Sequence, residues 1–523
     1  LASSPGSADQ QAAATPIFTV VTFAPVQGFI SSSRKLRDLY GSSLLLSVLA
    51  KAIVDDAEQR GFDVLSPALV NTARGTPNLV VIRGAYKNGH GRDALQAAWG
   101  QVLEAARQWI ESQLRQFDYE WATSWKQWHI HAWEYFHAQG GSIHQARQQL
   151  VLAKQERAWS GINWTGESST LAGSDAIARP LMGRVIDPRK VSEAHEKAEA
   201  NDFITALAAL PPLGEPFAGK GEQPSLPELV KRLVTYPVVA KLAFSDERLV
   251  NVLPKRFDAI AESSSICWFM ADGDEVGKHL EKHAKHDPEA EANALKSFSN
   301  AMRRWAEELY NRVPQLTEEK GTIVYAGGDD LLGALHDRPG PEGSDIAEHL
   351  AAKDLMAWLK AFPVLWNEHG QGITVSMGLV YTTGQVPQRE ALQQLRLAEA
   401  SAKAHGRNRF ALRLLFSGGQ AIEWVCPWND LPLVLQGYRD REKREGEHAH
   451  WGHLASDVAV LRGRRSISGA GSEARAVAQA LWEIYFPGLE PPRGLNQPLG
   501  DWISDLAQVL SRLLKPVAQK VRP

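Results

Sequence analysis

Thr322-Ile323-Val324-Tyr325-Ala326-Gly327-Gly328-Asp329-Asp330-Leu331-Leu332-Gly333-Ala334-Leu335 sets two short apolar runs on either side of Gly-Gly-Asp-Asp. Such runs, bounded by glycine, predict two strands, and the glycines permit the positive φ angles that a tight hairpin demands. Asp329 and Asp330 are thereby presented at a hairpin tip. Working outward, residues 266–271 read as a strand that runs directly into Asp272 and Asp274, and residues 276–310 as helices broken at His286-Asp287-Pro288. A helix at 346–366, a strand at 373–381, a helix at 389–405 and a strand at 409–415 follow. The order strand, helix, strand, strand, helix, strand is that of the ferredoxin-like split unit. In that unit the first strand lies antiparallel to the third, so its end shares one edge with the second-to-third hairpin. Asp272, Asp274, Asp329 and Asp330 then converge.

Like charges repel by about 1 kcal/mol at roughly 4 Å in bulk water, and by more where water is excluded, so four gathered carboxylates need a counter-charge or shifted pKa values. A divalent cation supplies the charge. Oxygen donors without His or Cys favour Mg²⁺ or Mn²⁺, with substrate phosphates completing the shell. This makes Asp272, Asp274, Asp329 and Asp330 candidate metal ligands, and Asp329, Asp330 and Asp272 candidate catalytic residues of a nucleotidyl-transfer site. Gly327 and Gly328 are candidates for close approach to the nucleotide. The bland alternative is a solvated acidic turn.

A third element is Ala402-Lys403-Ala404-His405-Gly406-Arg407-Asn408. Lys403 and Arg407 stand four apart near a helix end, where both can face the same way and meet a triphosphate. The competing reading is a plain helix cap with Gly406 as the turn residue.

The whole chain has 523 residues, with 57 Lys+Arg against 60 Asp+Glu, so its charge of −3 does not advertise a nucleic-acid surface. At roughly 100 to 200 residues per domain, three to four domains are expected. Two cysteines cannot build a four-cysteine zinc site or a disulfide framework, and a reducing cytoplasm is the expected location. No apolar run is long enough to span a bilayer. The chain opens on Leu1 rather than Met, as expected of a piece or processed form of a longer protein. Residues 1–16 read as a disordered tail of small and polar residues. Residues 17–159 open strand, helix, strand, strand and then turn helical and Trp-rich, so they read as a first, related unit. Residues 160–255 read as a linker and helical region, 256–418 as the second unit with Gly-Gly-Asp-Asp, and 419–523 as a C-terminal helical domain.

Taken together, these residues resemble the palm of GGDEF-type nucleotide cyclases, whose pattern ends in Ala-Lys-x-x-Gly-Arg-Asn. Phe23-Ala24-Pro25-Val26-Gln27-Gly28-Phe29-Ile30, Arg37-Asp38-Leu39-Tyr40-Gly41-Ser42-Ser43, Thr76-Pro77-Asn78 and Ala271-Asp272-Gly273-Asp274-Glu275 narrow the likeness. The chain is similar to the polymerase-like large subunit of type III-B (Cmr) CRISPR RNA-targeting effector complexes, over residues 17 to 415. The resemblance implies an α+β fold of two ferredoxin-like palm domains with a helical linker and a helical C-terminal domain. It implies two bound ATP molecules, with the 3′-hydroxyl of one attacking the α-phosphate of the other to make cyclic oligoadenylate when target RNA is engaged. Partners are then the other subunits of the complex, with guide RNA and target RNA reached through it, and no membrane. Lys403 and Arg407 fall at phosphate-contacting positions of the pattern, and Gly41 and Ser42 on the helix that the first palm turns toward nucleotide.

The departures carry expectations too. No His-Asp (HD) nuclease is expected here, since His286-Asp287 and His336-Asp337 are isolated dipeptides that read as surface turns. No zinc is expected, because Asn163-Trp164-Thr165-Gly166-Glu167 stands without cysteine where relatives carry a zinc element. Trp121, Trp125 and Trp128 recur at helical spacing and read as packing residues, while His129 and His131 would leave one helix on different faces.

Overall fold

In the computed structural model of the chain, the β-branched run near the N-terminus forms strand β1 (Phe18–Ala24), buried along nearly its whole length. The structure describes residues 16–157, 161–164, 166–184, 192–211, 213, 217–219, 221–244, 260, 263–284, 287–338, 348–383, 386–446 and 449–514. The tail, Trp159, His286, the start of the helix expected from residue 346 and the boundary expected at 255–256 lie outside these. After β1 come α1 (Val26–Ser31), α2 (Leu36–Gln59), β2 (Asp63–Ser66), β3 (Val80–Arg83), α3 (Asn88–Gln113), α4 (Ala122–His131), β4 (Glu134–Gly140) and α5 (Ile143–Gln155). The four strands pair antiparallel in the order β2-β3-β1-β4, a complete ferredoxin-like sheet.

Strand β4 corrects the reading of residues 92–159 as helical. Only Phe136 and Ala138 of this edge strand are buried, and its other face carries Tyr135, His137 and Gln139. A strand half open to solvent shows few apolar residues, so the run of Trp and His on either side hid its period. The packing role of Trp121 and Trp125 is as expected, since both are buried.

Helices α6 (Glu193–Ala208), α7 (Leu226–Leu233) and α8 (Pro237–Ala243) follow. Helix α7 is buried on every side, and Leu229, Val230 and Leu233 share one apolar core with Leu45 and Ile53 of α2 and Trp99 of α3. The stretch expected as a linker is thus in part a wall of the first palm.

The second sheet has β5 (Ser265–Gly273), α9 (Val276–Ala284), α10 (Pro288–Leu316), β6 (Gly321–Gly327), β7 (Asp330–His336), α11 (Ala352–Asn367), β8 (Val375–Thr383), α12 (Gln388–Ala404), β9 (Arg409–Leu415) and β10 (Ala421–Pro427). Its order is β10-β9-β8-β5-β7-β6, with β8 and β9 parallel and the other pairs antiparallel. The four strands at one end, β8-β5-β7-β6, are the expected unit, and α12 crosses over to add β9 beside β8. Strand β10 is an exception to the reading of residues 419–523 as a helical domain. Trp424 and Cys426 are buried from it, and Trp502 donates its indole N–H to the Val425 carbonyl at 2.7 Å. Helices α13 (Asp430–Gly437), α14 (Gly452–Gly463), α15 (Ser472–Tyr485) and α16 (Leu499–Leu513) complete the chain.

The two sheets are joined through α10. One face of the first sheet, with Phe18, Val20 and Phe136, packs into the same core as Leu295, Phe298 and Met302 of α10, while Val21 and Phe23 on its other face meet α2. Among the described residues no helix is long and apolar enough to cross a membrane.

Candidate active site

β5 ends in Asp272-Gly273-Asp274 directly beside the β6–β7 hairpin. Gly327 pairs with Asp330, so the loop is Gly328-Asp329, and Gly328 takes φ +82° at the first loop position, where a type II′ turn needs glycine. Of the two glycines expected to supply positive φ, only Gly328 does. Gly327 is needed for a different reason: a Cβ there would lie 2.0 Å from the Tyr325 hydroxyl oxygen. The Gly273 N–H donates to the Asp329 carbonyl at 3.3 Å, and a Cβ on Gly273 would stand 3.0 Å from that of Asp329. Gly273, quoted in the sequence without a role of its own, is what lets hairpin and strand end close up. Its signal was the glycine between two aspartates.

The geometry splits the four carboxylates into three and one. Burial and the charge of Asp272 push Asp329 up to about 6. Crowding by protein, a hydrogen bond with Asp272 and the charge of Asp329 push Asp330 well above the carboxylate range. Because the Asp330 side chain is open to solvent, its like-charged neighbours are the firmer cause. Lys403 supplies part of the missing counter-charge: its ammonium pairs with Asp272 and with Glu399, the latter at 2.5 Å, and its pKa is raised, against burial, by those two carboxylates.

Asp274, expected as a metal ligand beside the other three, stands apart from them in its partners. It is buried, accepts from Ser376 Oγ at 2.7 Å on one oxygen, and from Thr374 Oγ1 at 2.8 Å and the Asn408 N–H at 2.9 Å on the other. Both oxygens are used to tie β5 to β8 and to the turn after α12. That turn also corrects the pairing of Lys403 with Arg407. Helix α12 ends at Ala404, and Gly406, Arg407 and Asn408 all have positive φ, so the two cations share no helix face. Lys403 turns inward to Asp272, whereas Arg407 is exposed on the rim, near enough for its charge to act on Glu275.

Gly41 and Ser42 do not face this site. A Cβ on Gly41 would fall 1.9 Å from the Lys231 carbonyl oxygen, and the Ser42 hydroxyl donates to the Asp38 carbonyl at 2.7 Å in a buried position. Gly41 thus lets α2 seat on α7, while Ser42 bonds within α2 and to the Ser33 hydroxyl. Leu39, Ser43 and Leu46 are among the residues of α2 that do look toward the second palm, and they line a cavity of about 150 Å³ with Thr76, Asn78, Met270 and Asp330. His336-Asp337, expected as a surface turn, is buried: His336 bonds Thr322 Oγ1, and Asp337 accepts from the N–H groups of Ser264 and Leu350.

Two arginines went unnoticed in the sequence. Arg303 of α10 is buried and donates to the carbonyls of Gly75, at 2.7 Å, and Ala326, at 2.9 Å, tying the first palm's loop to β6. Arg147 of α5 is half-buried, and its charge acts on Asp329 across the palm boundary. Neither sits in a motif; only α10 and α5 being packed together brings them here.

Among the described residues no group of three or more His, Cys, Asp or Glu side chains is arranged as a ready-made metal site. Mg²⁺ does not need one, because one or two carboxylates with substrate phosphates suffice. The donor set fits that ion: two oxygen-bearing groups with raised pKa values are short of positive charge.

Residues 265–411, from β5 into β9, match the family model described as Cas10/Cmr2, second palm domain, and residues 18–81, from β1 to β3, match that of CRISPR-associated protein Cmr2, N-terminal. The chain carries a Cas10/Cmr2 palm. No curated protein matches it. Among solved structures, type III-B Cmr-beta bound to cognate target RNA, seen by cryo-EM, is similar with a TM-score of 0.56 at 11% identity, over 97% of this chain and 83% of that one. The apo state of Cmr-beta gives a TM-score of 0.54 at 12% identity, over 95% and 81%. At such identity the likeness is one of fold. It runs through the Cas10/Cmr2 palm into the C-terminal helices.

Proposed function

We propose that this chain is the nucleotidyl-transferring palm subunit of a type III-B CRISPR effector complex, making cyclic oligoadenylate from ATP when the complex holds target RNA. The observation that carries the reading is the gathering of Asp272, Asp329 and Asp330 beside Lys403, at a hairpin tip facing the inter-palm cavity. Mg²⁺ or Mn²⁺ held by Asp272, Asp329 and Asp330 would supply charge neutralisation at the transferring phosphate and activation of the attacking hydroxyl. The chain's own residues do the rest. Asp329 and Asp330 offer carboxylates held neutral in part until a cation arrives, so cation binding releases protons. Lys403 exchanges Asp272 for triphosphate oxygens, and Arg407 on the rim meets the outgoing pyrophosphate. Ser43 and Asn78 border the adjoining cavity with polar groups while Leu39, Leu46 and Met270 exclude water.

A second reading, a palm kept as scaffold, is favoured by the Lys403–Asp272 pair, which satisfies one carboxylate without any ion. Incubating the purified complex with ATP, Mg²⁺ and cognate RNA, and identifying products by mass, separates the two. Cyclic adenylates that vanish in the Asp329→Ala, Asp330→Ala double variant, with assembly and RNA binding kept, are the expected result. Absence of product from the unaltered complex, beside a competent control, favours the scaffold.

A further inference from the structure

A pocket of about 490 Å³ opens on the first palm, away from the second, between edge strand β4, the start of α3 and the ends of α4 and α5. Its volume is that of a small-molecule site. Arg92 and Arg157 line it, and Glu134, 3.7 Å from Arg157, is the one acid in its lining, so the pocket is net positive. Arg92 is exposed and makes no hydrogen bond or ion pair among the described residues. The wall is aromatic, with Trp133, Tyr135 and Phe136, and the polar amide of Gln96 lies along it.

Positive charge argues against a metal ion, and a polar mouth argues against a lipid tail. Guanidinium groups grip phosphate in a fork, while flat rings and a side-chain amide suit a base. We propose that this pocket binds a nucleoside 5′-phosphate unit, free or as one residue of single-stranded RNA, with its phosphate on Arg92 and Arg157 and its base along the Trp133–Tyr135 wall. The site is separate from the inter-palm cavity and does not depend on catalysis there.

The test uses the full chain in the Asp329→Ala, Asp330→Ala background without divalent cation, which removes turnover and metal-held nucleotide between the palms, and the Arg92 and Arg157 variants assign the remaining binding to this pocket. AMP and a fluorescein-labelled oligouridylate decamer are titrated by anisotropy and competition. Saturable binding is expected, weakened at least roughly ten-fold by Arg92→Ala or Arg157→Ala. For the decamer the log–log salt slope should become shallower by about 0.7 per lost phosphate contact. Arg92→Lys should restore part of the affinity. Equal binding of AMP identifies a mononucleotide site; binding of the decamer alone identifies RNA. An unchanged affinity in Arg92→Ala with unchanged melting temperature, no binding of either probe at millimolar AMP, or binding of an acidic decapeptide in their place overturns the proposal.

Discussion

Asp274 and Asp329 are carboxylates at one sheet edge, yet their surroundings give them opposite work. Asp274 receives a backbone N–H and two hydroxyls and needs nothing further, while Asp329, burdened by burial and by Asp272, is pushed up to about 6 and is short of a cation. Residue type and spacing cannot tell these apart, because the deciding donors, Thr374, Ser376 and Asn408, arrive from another strand and from a turn. Replacing Asp274 by Ala leaves the buried Ser376 hydroxyl and two partly buried donors without their acceptor, and should cost about 1–3 kcal/mol of stability. The check is urea unfolding, in which the midpoint should fall far more for Asp274→Ala than for Asp329→Ala. Equal midpoints would return Asp274 to the list of ion ligands. For Asp329 the opposite sign is expected, since removing a crowded like charge relieves repulsion.

At the scale of elements, the β6–β7 hairpin and β4 mark the limits of pattern reading. The hairpin was legible because both its strands are buried and its turn carries its own chemistry in Gly328. β4 was not, because only Phe136 and Ala138 of it are buried while Tyr135, His137 and Gln139 break the apolar run, and β10 was not, because Ala421, Ile422 and Glu423 are open or half-open and leave only a three-residue apolar stretch. Helix α16 backs β10 and bears Asp505, pushed up to about 6 chiefly by burial, although Gln497 donates to it. A carboxyl raised in the folded state binds more protons there than in the unfolded chain between about pH 4 and 6, so stability falls as pH rises through that window. Above about pH 6 the full cost remains. Asp505→Asn should therefore stabilise the fold at pH 7 to 8 by on the order of 1 kcal/mol, seen as a higher melting temperature, and flatten its decline from pH 4 to 6. A melting curve that shifts equally at all pH values would show that Asp505 is not the group responsible.

For the whole molecule, the two palms act as one body through α10. Arg303 joins Gly75 of the first palm to Ala326 of the hairpin strand, and Tyr40 of α2 donates to the Ile323 carbonyl at 2.8 Å. Arg303→Met removes both carbonyl partners but also a buried charge, so the stability loss is partly offset, at about 1–3 kcal/mol, while the hairpin loses its anchor. Amide hydrogen exchange should speed up over residues 321–336 more than over β8. Exchange that is unchanged there would mean that the first palm does not hold the hairpin.

The order of strands and helices in the second palm, the hairpin that bears Asp329 and Asp330, and the kinship of both halves were determined by the sequence alone, because buried strands and tight turns write their periods and glycines into neighbouring residues. Which carboxylates stay hungry for charge, which face of α2 looks at the second palm, and the arrival of Arg303 and Arg147 were decided only by the tertiary structure. Those outcomes depend on donors and charges that lie far apart along the chain, and no local pattern records them until packing brings them into contact.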